Sequence, residues 1–180
     1  MIAPMLQHLG REANLASISN LMHDDLPLMK SAILEIIRIE LRAQMKHLAK
    51  AAMDAHAAAT DPGSKAEGKY DTRSLEAAYL AAGQARQVDE LAEAARIFET
   101  LVLPEFSMED PIDAGALAEV ALYGETCHLL LVPASGGLVV EDQGRKITLL
   151  TPASGLYRKL IGIRVGESLI DPELLVIEVS

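Results

Sequence analysis

At 180 residues, half of them hydrophobic, the chain is one domain or two small ones and is long enough for a sizeable core. Two Phe, four Tyr and no Trp make that core aliphatic and leave little for stacking on nucleic-acid bases. A net charge of −10, from 16 Lys plus Arg against 26 Asp plus Glu, argues against a direct, non-specific grip on nucleic acid.

The charge is uneven. Residues 101–180 carry 5 basic against 12 acidic residues, residues 29–100 carry 10 against 11, and residues 1–28 carry 1 against 3. An acidic C-terminal part suits a basic protein surface as partner, and equally suits solubility alone. A single cysteine, Cys127, excludes an internal disulfide and a multi-cysteine metal site. With no apolar run near the ~18 residues of a membrane span and no cationic start before an apolar stretch, the expectation is a cytoplasmic protein without membrane contact.

Residues 1–28 read as an N-terminal extension. Met5, Leu6, Leu9, Ala13 and Ala16 fall on one helix face, but Ser, Asn and Gly dilute the pattern. His23 to Pro27 resembles a helix start, with Asp24 or Asp25 as cap and Pro27 in the first turn. His23 beside two Asp is open to a metal reading as well.

From Leu28 to about Ala59, Ile33, Ile37, Leu41, Met45, Leu48, Ala52, Ala55 and Ala59 form one stripe at steps of three or four. Glu35, Arg42, Lys46 and Lys50 fall opposite it. Ile36 and Ile39 lie off the stripe, which predicts wider burial of the first turns. Asp61-Pro62-Gly63 stops the helix. A second helix is expected from Thr72 or Ser74 to about Val102, its stripe running Ala77, Ala81, Val88, Leu91, Ala95, Phe98 and Val102, with Gln84 the polar member. Residues 29–103 are thus expected to be an antiparallel helical hairpin, a coiled coil with arms of roughly 40–45 Å and its tip at residues 61–74.

After Pro104 short β-rich runs appear at Leu117–Leu122, His128–Val132, Leu138–Val140, Ile147–Leu150 and Leu174–Val179, separated by turn signals. Thr151 to Gly162 reads as a short helix capped by Thr or Ser and ended by Gly. Residues 104–180 are therefore expected to be a small antiparallel sheet with one helix, and the whole chain α+β. Cys127 and His128, neighbours on a strand, should point to opposite faces, which disfavours a catalytic dyad. His47 and His56 are nine apart and cannot pair on one helix face. Pro133 to Gly137 lacks a following Lys-Ser/Thr and reads as a turn.

The run Thr151 to Leu169, TPASGLYRKLIGIRVGESL, following a helical hairpin, is similar to the Gre family of bacterial transcription elongation and transcript-cleavage factors. Its elements here are Thr151-Pro152, Leu160-Ile161-Gly162, Val165-Gly166-Glu167 and Leu175–Val179. Glu76 to Ala82, EAAYLAA, resembles that family's tip motif Asn-Ala-Glu-Tyr-His-Ala-Ala. The resemblance spans about residues 29–180. It implies an FKBP-like C-terminal domain that docks on RNA polymerase, and a coiled coil that enters the secondary channel. There, tip carboxylates help hold a Mg²⁺ for cleavage of backtracked RNA by the polymerase itself, so no stand-alone enzyme and no sequence-specific nucleic-acid binding is implied.

The tip departs from the family pattern. With Tyr79 matched to the family tyrosine, the two acidic positions fall on Thr72 and Leu75. Asp71 and Glu76, five apart, are the available carboxylates. They have two readings, as Mg²⁺ ligands and as a cap and a dipole partner at a helix N-terminus. Lys65, Lys69 and Arg73 flank them as phosphate or protein contacts or as a solvated mixed-charge loop. Tyr70 at an exposed tip suits a contact. The residues expected at the partner surface are Lys69, Tyr70, Asp71, Arg73 and Glu76. Three functions follow: a Gre-like regulator occupying the channel, an active cleavage factor, or a coiled-coil adaptor unrelated to polymerase.

Overall fold

The apolar stripe of the first run forms helix α1 (Lys30–Thr60), and the second run forms α2 (Arg73–Thr100). The computed structural model describes residues 28–60 and 73–180, with side chains described for 28–54, 79 and 82–180. Ile33, Ile37 and Leu41 are buried, and Met45, Leu48 and Ala52 are half-buried, so the stripe holds as far as side chains are described. Ile36 packs against the core as the off-stripe position predicts, whereas Ile39 is exposed. On α2, Gln84, Val88, Leu91 and Ala95 are half-buried, and Ala94 and Phe98 are buried. Val102 departs from its expected place on the stripe: the helix ends at Thr100, the chain turns away, and Val102 is 84% exposed.

The two helices run antiparallel. Contacts climb one as they descend the other: Lys30 meets Pro104, Arg38 meets the Phe98 carbonyl, and Leu41 shares a groove with Leu91. No helix of the described residues is long and apolar enough to cross a membrane.

Six strands follow: β1 (Leu117–Leu122), β2 (Glu125–Leu131), β3 (Val139–Asp142), β4 (Arg145–Leu150), β5 (Ser168–Leu169) and β6 (Leu174–Val179), with helix α3 (Gly155–Leu160) between β4 and β5. Their order is β3-β4-β2-β1-β6-β5. The β1–β2 and β3–β4 turns place Tyr123-Gly124 and Gln143-Gly144 at φ of 50°, 81° and 52°, 76°. Both central residues are left-handed, the condition of the tight hairpin turn whose twist matches its strands.

The sheet is mixed, which corrects the antiparallel expectation. From the end of β2 the chain crosses through residues 132–138 past the slot beside β2, lays down β3 on the outside, and returns as β4. That return makes β2 and β4 parallel, with Leu130 opposite Leu149. The crossing segment is tied to β4 where Gly137 donates to the Leu149 carbonyl and Leu149 donates to the Leu138 carbonyl. Residues 133–137 are a turn, as expected.

Alternation divides the sheet into two packed faces. On one, Leu117, Leu130, Val140, Ile147 and Leu149 form a single buried cluster with Ile33, Leu34, Ile37, Leu41, Ala94 and Phe98. The root of the hairpin and this sheet face therefore share one core. On the other face, Ala118, Val120, Leu129, Leu131, Leu174 and Val176 bury Tyr157 and Leu160 of α3. Ser154 occupies the N-cap position of α3, but its side chain makes no capping bond, contrary to the expected Thr or Ser cap. Gly162 does close the turn beyond, at φ 86°, donating to the Ile112 carbonyl.

Candidate functional site

Two regions carry the functional possibilities: the hairpin arm and a polar cleft on the sheet. The arm is fixed at its root. Lys30 Nζ donates to the Pro104 carbonyl at 2.5 Å and lies 4.7 Å from the centre of the Phe106 ring. Arg38 Nε donates to the Phe98 carbonyl at 2.8 Å, and Arg42 pairs with Glu99 across the two helices at 2.5 Å. Farther out, the ion pairs are local to each helix: Lys50 with Asp54 at 2.6 Å and Arg86 with Glu90 at 3.2 Å. These are exposed i,i+4 pairs that support each helix modestly. Both helices continue well beyond the sheet. From Leu91, which still packs on the shared core, back to Arg73 is 18 residues, about 27 Å of helix.

Lys69, Tyr70 and Asp71 lie outside the described residues, as do Lys65 and Thr72. Arg73 is the first residue of α2, and Glu76 stands in its first turn. Leu75, on one of the two positions where the family pattern requires a carboxylate, occupies the same turn and offers no metal-ligating atom. That part of the donor set does not fit the family's Mg²⁺ site. Among the described residues no group of three or more His, Cys, Asp and Glu is placed to hold a metal. His23 lies outside the described residues, and His47 is exposed on α1.

The second region follows from strand register. On β1, Leu117 points into the core shared with the hairpin, so Glu119 and Ala121 share its face; the helices cover Leu117 and stop short of the others. Strand pairing sets Glu119 opposite His128 of β2 on one side and opposite Glu178 of β6 on the other. His128 Nε2 lies 3.5 Å from Glu119 Oε2. Arg145 of β4 joins them and donates from Nη2 to Gln143 Oε1 at 3.1 Å. These four residues, with Leu28, Leu117 and Ser180, line a small cleft of about 80 Å³, and a more open surface beside it reaches Thr126, Gly144 and Lys146.

Cys127 packs on the opposite sheet face, so it and His128 are separated as the alternation predicts. Sequence reasoning placed His128 on a strand and left Glu119, Arg145 and Glu178 unremarked. Each stands at an interruption of an apolar strand pattern, the signal that marks a polar strip on a sheet. Which strands neighbour one another is not encoded locally, and that information assembles the cleft. It presents both signs of charge.

No model of a known protein family matches the chain. No curated protein matches it. Among solved structures, it is similar to GreA factor homolog 1 (Gfh1) of Thermus thermophilus at 23% identity, covering 79% of this chain and 94% of that one, with a TM-score of 0.31. A further structure of the transcription factor Gfh1 aligns at 20% identity over 79% of this chain and 92% of that one, with a TM-score of 0.32. Gfh1 of Thermus aquaticus aligns at 20% identity over 78% of this chain and 91% of that one, also at 0.32.

Proposed function

We propose that this chain is a Gre-like transcription factor that binds RNA polymerase through its secondary channel and modulates elongation. The observation that carries the reading is where the two Gre-like motifs lie in one chain. Thr151 to Leu169 supplies α3, the loop beyond it and β5, packed on the sheet, while Glu76 to Ala82 lies in the first turns of α2 at the far end of the arm. In this reading the sheet part is the FKBP-like domain that seats at the channel rim. The hairpin is the coiled coil that reaches inward, and Lys69, Tyr70, Asp71, Arg73 and Glu76 meet the polymerase. The acidic balance of residues 101–180 suits a basic docking surface.

In this reading the protein is no stand-alone enzyme. Because Thr72 and Leu75 stand where the Gre pattern has carboxylates, occupancy of the channel is the favoured mode. Pull-down with core RNA polymerase in low salt tests the proposal. Retention of polymerase at micromolar protein is expected; its absence leaves the adaptor reading. Backtracked complexes supplied with the protein and Mg²⁺ separate the two polymerase modes. RNA cleavage there would convert the reading to an active cleavage factor.

A further inference from the structure

On the sheet face that carries the hairpin, the two helices cover Leu117, Leu130, Val140, Ile147 and Leu149. Beyond Leu117, β1 and β6 turn further side chains to the same side. Val176 and Val179 lie in the cluster under α3, and the register shift of β6 against β1 falls between them. Ile177 and Glu178 therefore both stand on the hairpin's side, where a regular strand would place only one of them. Leu175 joins them opposite Ala121, and Glu119 stands opposite Glu178. Leu175 and Ile177 are 44% and 38% exposed and belong to neither buried cluster. Tyr123, also exposed, continues the strip where its N–H donates to the Glu173 carbonyl. An apolar strip thus runs between carboxylates, with Glu119 and Glu178 at one end and Glu173 at the other.

We propose that this strip docks an amphipathic helix of a partner protein, one with a basic residue at each end of its apolar face. Charge complementarity selects that occupant. Glu173 and Glu178 make no ion pair among the described residues, while Glu119 faces His128 at 3.5 Å. Directly opposed carboxylates such as Glu119 and Glu178 repel each other, and a cation set beside them relieves that. A second copy of the chain, at a net charge of −10, and the chain's own residues 1–27, with one basic residue against three acidic, both bring net negative charge. The strip is a face of the sheet rather than an edge, and this sheet already takes helices on both faces. Spacing then sets the pattern of the partner. Glu173 and Glu178 are five residues apart, about 16 Å of strand, which matches about 11 residues of helix. Eleven residues make three turns, so Lys or Arg at i and i+11 share one face. Aliphatic residues at i+4 and i+8 fall between them about 6 Å apart, close to the interval between Leu175 and Ile177 along β6. The inference is independent of polymerase binding.

Selection from phage-displayed, alanine-rich helices randomised at i, i+4, i+8 and i+11 tests it on the full-length protein. Recovered helices should carry Lys or Arg at the two outer positions and aliphatic residues at the two inner ones. They should bind Glu173→Lys with Glu178→Lys about tenfold more weakly, the size expected when two exposed ion pairs become repulsive. The same selection on that variant should return Asp or Glu at i and i+11. Ile177→Asp should also weaken binding about tenfold, with far-UV circular dichroism checking the fold of every variant. With p-benzoylphenylalanine replacing Leu175, irradiation should join that position to a recovered helix. No enrichment, no reversal of the recovered charge, or binding that survives Ile177→Asp in a folded variant would each overturn the proposal. Cross-links from Leu175 to a second copy or to residues 1–27, in place of the helix, would overturn it too.

Discussion

Lys30 Nζ donates to the carbonyl of Pro104, joining the first turn of α1 to the segment that leaves α2, 74 residues later in the chain. Only 6% of Lys30 is exposed. Burial holds its ammonium below the ordinary value of 10.5, while the charge of Glu105 pulls the other way. The folded protein thus releases this proton at lower pH than the unfolded chain does. Between the lowered value and 10.5 the unfolded chain binds more protons, so the contribution of Lys30 to stability rises with pH through that window. Lys30→Met removes a buried charge together with its hydrogen bond to Pro104, two effects that offset, so at neutral pH it should cost less than about 1 kcal/mol. The gap between wild type and variant should then widen toward alkaline pH in urea titrations. A gap that narrows would mean that Glu105, rather than burial, dominates.

Gly115 packs on the other side of the same proline. A Cβ at Gly115 would lie 2.4 Å from Pro104 Cδ, and its φ is +90°. Gly115→Ala therefore meets two penalties together, backbone strain and a clash with a stiff ring, about 2–4 kcal/mol. Gly124, at φ +81° with open space around it, meets the strain alone, and Gly124→Ala should cost about 1–2 kcal/mol. Equal losses in thermal melts would show that the ring gives way and that the root of the hairpin is softer than its packing implies.

The root should also decide whether helices and sheet unfold as one. Phe98 is fully buried in the cluster that joins both, so Phe98→Ala should cost about 3–5 kcal/mol. It should lower one cooperative transition rather than release the helices first. Met53 lies on the arm beyond the sheet and is largely exposed, so Met53→Ala should change stability by less than about 0.5 kcal/mol. Two separated transitions in far-UV circular dichroism for the Phe98 variant would mean that the sheet holds without the hairpin.

These expectations separate what local sequence encodes from what it does not. The first and last long strands, Leu117–Leu122 and Leu174–Val179, were legible to the residue, because alternation and flanking turn residues bound them. The helix stripes were legible for the same reason, through Ile33, Ile37, Leu41 and Phe98. Burial at their ends was not: Ile39 and Val102 carry apolar side chains that stay largely exposed, and only the tertiary arrangement decides that. The two-residue β5 is too short to leave a pattern. The parallel pairing of β2 with β4 depends on which slot the chain skips, and no residue in either strand records it. The cleft of Glu119, His128, Arg145 and Glu178 is a product of that pairing and was illegible with it. Of the tip residues, Arg73 and Glu76 open α2 close to where the sequence starts that helix, and the others lie outside the described residues.

The last prediction concerns Asp71 and Glu76, for which the two readings give opposite results. α2 begins at Arg73, so Asp71 stands two residues ahead of the helix and Glu76 in its first turn. Carboxylates near a helix N-terminus interact favourably with the exposed amides and the dipole, by about 0.3–1 kcal/mol each. As cap and dipole partner, the pair should contribute to stability and not to chemistry. Asp71→Ala with Glu76→Ala should then lower unfolding free energy by about 1 kcal/mol. It should leave RNA in backtracked polymerase complexes as intact as the wild type does. As Mg²⁺ ligands they would behave in reverse, with stability held and a Mg²⁺-dependent cleavage lost. Tyr70→Ala separates contact from chemistry. An aromatic anchor at the tip should raise the Kd for core polymerase about tenfold, a loss near 1.4 kcal/mol, without touching the stability of the hairpin. An unchanged Kd would remove Tyr70 from the contact surface and leave the arm's reach without an anchor at its end.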